Sequence, residues 1–155
     1  MLGARYQSWR WAAFALWTLA VGASGHAATG KEPTVEELKA RLASMSIGAR
    51  PRVCVEIAQK QLDEADKLYA ANDLEKGQGA LTDVVTYAEL ARDYAVESHK
   101  YQKQTEIAAR AMTRKLTDLL HSLGHDDQAP VQDAIKHLEK VRDDLLKAMF
   151  PKGQK

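Results

Sequence analysis

Residues 52–98, RVCVEIAQKQLDEADKLYAANDLEKGQGALTDVVTYAELARDYAVES, hold two apolar stripes of helical period separated by one short polar stretch. In the first, Cys54, Ile57, Ala58, Leu62, Ala65, Leu68 and Tyr69 recur three and four residues apart, with Gln61 as the one polar member. That spacing lays them along a single helix face. Ala71-Asn72-Asp73 interrupts the pattern, and Asn72 is placed to cap the next helix, with Glu75 three residues on in capping-box position. The second stripe runs through Leu81, Val84, Ala88, Ala91, Tyr94 and Ala95. Two amphipathic helices joined by so short a connection bury their stripes by folding back on each other, so the stretch predicts an antiparallel hairpin. Gly77 and Gly79 fall in the first turns of its second helix, where a glycine costs up to about 1 kcal/mol relative to alanine. A missing side chain there lets the facing helix come close.

Upstream of the hairpin, Thr34-Val-Glu-Glu37 is a capping box, and Val35, Leu38, Leu42 and Met45 form a stripe. A short helix from Val35 to about Ser46 is expected, ended by Ile47-Gly48-Ala49-Arg50-Pro51. Downstream, residues 97–103 contain neither proline nor glycine, and a helical stripe continues through Thr105, Ala108, Ala109, Met112, Leu116, Leu119 and Leu123 up to Gly124. The expectation is one long helix from Asp73 to about Ser122, with a break near His99 as the alternative. A last helix begins near Pro130, a favoured first helical residue, and its stripe of Val131, Ala134, Leu138, Val141, Leu145 and Ala148 suits a nearly parallel or antiparallel neighbour. Residues 105–123 are its natural partner. The fold class is therefore all-α: antiparallel helical hairpins sharing a long central helix, or a compact helical bundle. Residues 34–150 form the single helical domain, followed by a short tail over 151–155.

The start of the chain has a different composition. Arg5 and Arg10 precede the apolar run Trp11 to Val21, and small residues lead to Gly25-His26-Ala27. A basic start, an apolar segment too short to cross a bilayer comfortably and a small-x-small end predict a signal peptide over 1–27, cut after Ala27, with a flexible leader over 28–33. The alternative is an uncleaved anchor. An exported protein, periplasmic or secreted, is the expected product. The whole chain has 22 basic and 21 acidic residues, and both Arg5 and Arg10 leave with the signal, so the mature chain has a net charge near −1. That balance argues against nucleic acid as a partner. Cys54 is the single cysteine, so no internal disulfide can form, and a small buried thiol on the hairpin face is the expected role.

The segment LDEADKLYAANDLEKGQGALTDVVTYAELARDYA resembles the helix-turn-helix of tetratricopeptide-like repeats, with a Leu-Tyr pair closing the first helix, a polar turn and small residues on the second. With Tyr69 at the repeat's tyrosine, Gln78 stands where a small residue is usual, and no proline closes the unit. The chain as a whole resembles a group of exported bacterial helical proteins, which implies localisation and fold and no activity.

No nucleophile elbow, phosphate-binding glycine loop or zinc-hydrolase helix motif occurs, so an enzyme is not expected. The leading reading is a non-catalytic protein-interaction or scaffold module of the cell envelope, without a cofactor. Its partner would be an envelope or secreted protein, or a second copy of the chain. Tyr87 and Tyr94, seven apart on one helix, and Tyr101 beyond them are the candidate contact residues, since tyrosine joins an apolar ring to a polar tip. Burial between hairpins explains the same spacing. A second reading is a metal or haem carrier. His121, His125, Asp126 and His137 have the donor chemistry for zinc, copper or nickel, and Met45 or Met112 with His137 has that of a haem axial pair. A third is peripheral contact with an anionic membrane surface through Lys100, Lys103, Arg110, Arg114 and Lys115.

Overall fold

A computed structural model describes residues 32–151 of the chain; the signal peptide expected over 1–27, most of the leader and the last residues of the tail lie outside the described residues. Five helices follow in order: α1 (Val35–Ser44), α2 (Arg50–Ala70), α3 (Leu74–Ser98), α4 (Gln102–Ser122) and α5 (Ala129–Met149). All but α4 begin for a local reason. Thr34 and Glu37 close the capping box on α1, with the Glu37 amide donating to the Thr34 hydroxyl and the Thr34 amide donating to the Glu37 carboxylate. Pro51 and Pro130 occupy the first turns of α2 and α5, where the missing N–H costs nothing.

The α2–α3 turn divides its work differently from the sequence expectation. Asn72 takes the left-handed conformation (φ 58°), and Asp73 is the cap of α3, accepting from the Lys76 amide. The hydrogen bond from the Lys76 ammonium group also holds the Asp73 carboxyl below its ordinary range.

The long helix expected over 73–122 is instead two. His99 (φ 55°) and Tyr101 (φ 61°) both adopt left-handed backbone on either side of Lys100, and the chain reverses there. Ser98 supports the reversal by accepting from the Lys100 amide. A continuous helix of fifty residues would extend for roughly 75 Å at 1.5 Å per residue. Its two halves could not then share one core, and burying both stripes outweighs the strain of two left-handed side chains.

With that break, α2 and α3 form one antiparallel hairpin and α4 and α5 a second, each pair packed extensively. The hairpins lie side by side with like helices parallel. Asp63 of α2 reaches Lys115 of α4, while on the other side Arg92 of α3 reaches Asp144 of α5 at 3.2 Å. The shared core holds Leu62, Leu81, Val84, Leu116, Leu138 and Leu145 among others. Thus the four expected stripes are the four inward faces. Helix α1 covers the start of the first hairpin. Its Leu38 is fully buried against Val53 and Ile57, and Lys39 pairs with Asp83 at 3.1 Å. Cys54 is fully buried, and burial pushes its thiol up to about 11, so it stays protonated at neutral pH.

Candidate docking groove

Of the four helix pairs that ring the bundle, α2 and α4 pack least closely. A shallow channel runs along their seam. Near the start of both helices a cavity of about 200 Å³ is lined by Arg52, Val55, Tyr101, Gln104 and Thr105. Midway, one of about 290 Å³ is lined by Gln59, Leu62, Asp63, Ala111, Met112 and Lys115. At the far end, one of about 340 Å³ lies among Asp66, Tyr69, Leu119 and Ser122. Buried Leu62, Thr105, Met112 and Leu119 form the floor, and exposed Arg52, Gln59, Gln104 and Ala111 rise along the rims. An apolar floor with polar rims is the anatomy of a surface that takes a peptide or helix. The Lys115–Asp63 ion pair crosses the channel at its middle.

Tyr101 stands at the mouth. Its ring stacks on the Arg52 guanidinium, 5.5 Å from the ring centre, and it also lines a second cavity of about 240 Å³ beside Arg41, Met45 and Glu56. A left-handed tyrosine costs of order 1 kcal/mol or more and persists only when its surroundings hold it. His99, two residues earlier and exposed, carries the same conformation without such a contact. His99→Gly is therefore expected to raise stability by about 0.5–1 kcal/mol in chemical denaturation, whereas Tyr101→Gly should bring no gain, because it also discards the stacked ring.

The other two tyrosines are placed differently. The Lys39 ammonium lies 5.3 Å from the centre of the Tyr87 ring, and the Arg50 guanidinium 5.1 Å from that of Tyr94. Arg50 also donates to the Tyr94 hydroxyl at 3.4 Å. Both rings thus fasten α1 and the start of α2 onto α3. Of Tyr87, Tyr94 and Tyr101, only Tyr101 opens onto the channel.

The metal cluster of the second reading is not assembled. Among the described residues, no three His, Cys, Asp or Glu side chains converge to hold a metal. His121, His125 and Asp126 are exposed around Gly124, whose extended backbone carries the chain away from the face that His121 occupies. His137 lies on α5, where Nδ1 is 2.9 Å from a Glu89 carboxylate oxygen and Nε2 is 3.7 Å from Asp133. His137 and Asp133 border a separate groove of about 320 Å³ between α3 and α5. The haem pairing is not assembled either: Met112 is buried beneath the α2–α4 channel and Met45 packs beside α1, both away from the α3–α5 surface.

One polar cluster escaped the sequence reading. Glu106 of α4 is buried, with its side chain 4% exposed, and it accepts from Arg110 at 2.6 and 3.2 Å and from Arg142 of α5 at 3.1 Å. The Arg110 hydrogen bond chiefly, with Arg142 adding to it, holds the Glu106 carboxyl below its ordinary range. The available signal was Arg110 four residues after a glutamate set beside the apolar stripe.

No family model, curated protein or solved structure matches the chain.

Proposed function

We propose that the protein is a non-catalytic binding module, exported to the cell envelope, that holds a segment of a protein partner in the channel between α2 and α4. The observation that carries this reading is the apolar floor left open along the seam of two parallel helices. Export is supported by the basic, apolar and small-residue pattern over 1–27. The side-by-side stacking of two hairpins is the way in which helical-repeat proteins build extended binding faces.

A photo-reactive residue at Gln104, on the channel rim, is expected to crosslink one recurrent partner in intact cell envelopes. Ala111→Trp, which fills the channel from an exposed position, should abolish that capture. Thr82→Trp, on the α3–α5 groove, should leave it unchanged. Capture that survives Ala111→Trp would remove the channel from consideration, and crosslinks to a second copy alone would make the partner the chain itself.

A further inference from the structure

The outward face of α4 has a charge pattern that the channel does not use. Between Glu97 and Asp118 the only acidic residue is Glu106, and that carboxylate is turned inward and buried between two arginines. The exposed side of the helix is thereby left without a carboxylate over about three turns. Lys103, Ile107, Arg110 and Arg114 are all exposed and stand four, three and four residues apart, which places them within one narrow stripe. Lys103 and Arg114 have no carboxylate partner among the described residues, and Arg110 remains about half exposed beside Glu106. In the middle of the stripe Ile107 is 51% exposed, one of only three large apolar side chains so exposed among the described residues. Phe150, which is 71% exposed, follows α5 at the end of the bundle where α4 begins, because α5 runs antiparallel to α4 with Arg142 opposite Glu106.

We infer that this face of α4 rests on an anionic lipid surface, with Lys103, Arg110 and Arg114 among the headgroups and Ile107 pressed into the boundary below them. Charge complementarity decides the sign of the partner. Shape decides its kind: Lys103, Ile107, Arg110 and Arg114 line none of the grooves described above and none of them is aromatic, so the stripe lacks the pocketed centre on which protein interfaces depend. A headgroup layer requires only cations and shallow apolar insertion. The stripe ends at Asp118, and the reach of about 16 Å from Lys103 to Arg114 is set by the helix rise.

The test uses the full chain with Ile107→Cys carrying an environment-sensitive fluorophore. Native Cys54 is buried, so the label goes to position 107 and reports on that face of α4. Vesicles of phosphatidylglycerol are expected to blue-shift the label, and vesicles of phosphatidylcholine are not. Raising salt from 0.1 to 1 M shortens the screening length from about 10 to about 3 Å and should abolish the shift. Lys103→Gln with Arg114→Gln should weaken the interaction by about twenty-five-fold, taking each cation as about fivefold. Both positions are exposed, and unchanged helical content by circular dichroism verifies the fold. A label at Gln132→Cys on α5 should remain unshifted. An equal shift with phosphatidylcholine, no shift at all, or a shift indifferent to the two Gln substitutions would each overturn the inference. So would an equal shift with soluble polyglutamate, which would assign the face to an acidic polypeptide.

Discussion

Replacing Arg110 and Arg142 together with alanine is expected to destabilise the fold by about 3–5 kcal/mol, more than removing Glu106 itself. The asymmetry follows from where the charges sit. Glu106 is buried, whereas the two arginine side chains are 48% and 42% exposed. Without Glu106 the guanidinium groups turn to water, so Glu106→Ala should cost only about 1–2 kcal/mol for lost charge-assisted hydrogen bonds. Without both arginines the carboxylate is stranded in the interior with its desolvation uncompensated. Urea unfolding at neutral pH, followed by circular dichroism, measures both. The two variants should also respond to pH in opposite ways. In the native chain the folded carboxyl lies below its ordinary value of 4.5. Its contribution is therefore complete above that value and lost as the pH falls from there through the depressed one. The gap between the native chain and Glu106→Gln should close over that acid range. In the double arginine variant only burial acts on the carboxyl and raises its pKa, so a penalty present at neutral pH is relieved as the pH falls through the raised value. A double variant no worse than Glu106→Ala, with a deficit independent of pH, would show that the arginines do not clamp this group.

The same cluster marks where the sequence stopped being legible. Periodicity locates the inward faces of α2 to α5 because each bury stripe repeats at three and four residues, and nothing competes with that signal. Glu106 adjoins such a stripe, and a charge beside a stripe reads as solvated unless the facing residue is known. Arg142, 36 residues away, is brought opposite only by tertiary packing. The break over 99–101 was readable only as the alternative to one long helix, for a related reason: neither His99 nor Tyr101 is a helix breaker, and both are bent by the demand that two stripes share one core. At the α2–α3 turn the local signals were simply degenerate. Asn72 and Asp73 can each cap a helix, and asparagine's tolerance of left-handed backbone assigns it to the turn and leaves the cap to Asp73. Tyr101 was legible as a candidate contact, but the channel beside it was not, since the adjacency of α2 and α4 connects residues some fifty positions apart.

Gly77 and Gly79 looked alike in sequence, and the structure gives them opposite roles. Gly77→Val should cost about 2 kcal/mol through overpacking, while Gly79→Ala should stabilise by up to about 1 kcal/mol. A Cβ at Gly77 would lie 2.9 Å from Cε2 and 3.0 Å from Cδ2 of Tyr69, distances no real side chain tolerates without a shift. The ring cannot easily give way, because Tyr69 is 5% exposed and is held in the core between the end of α2 and the start of α3. Moving it would also disturb the turn at Asn72, whose amide donates to the Tyr69 carbonyl. The close approach of the hairpin at its tip therefore depends on an absent side chain, and the helix penalty of glycine is offset by the aromatic packing it permits. At Gly79 a Cβ meets nothing within 4 Å, and the residue is exposed. There alanine only narrows the unfolded ensemble and improves helix propensity. Thermal and urea unfolding of the two single variants would separate the roles. Equal effects of the same sign at both positions would mean that the tip of the hairpin is fraying and that Tyr69 is not packed against Gly77.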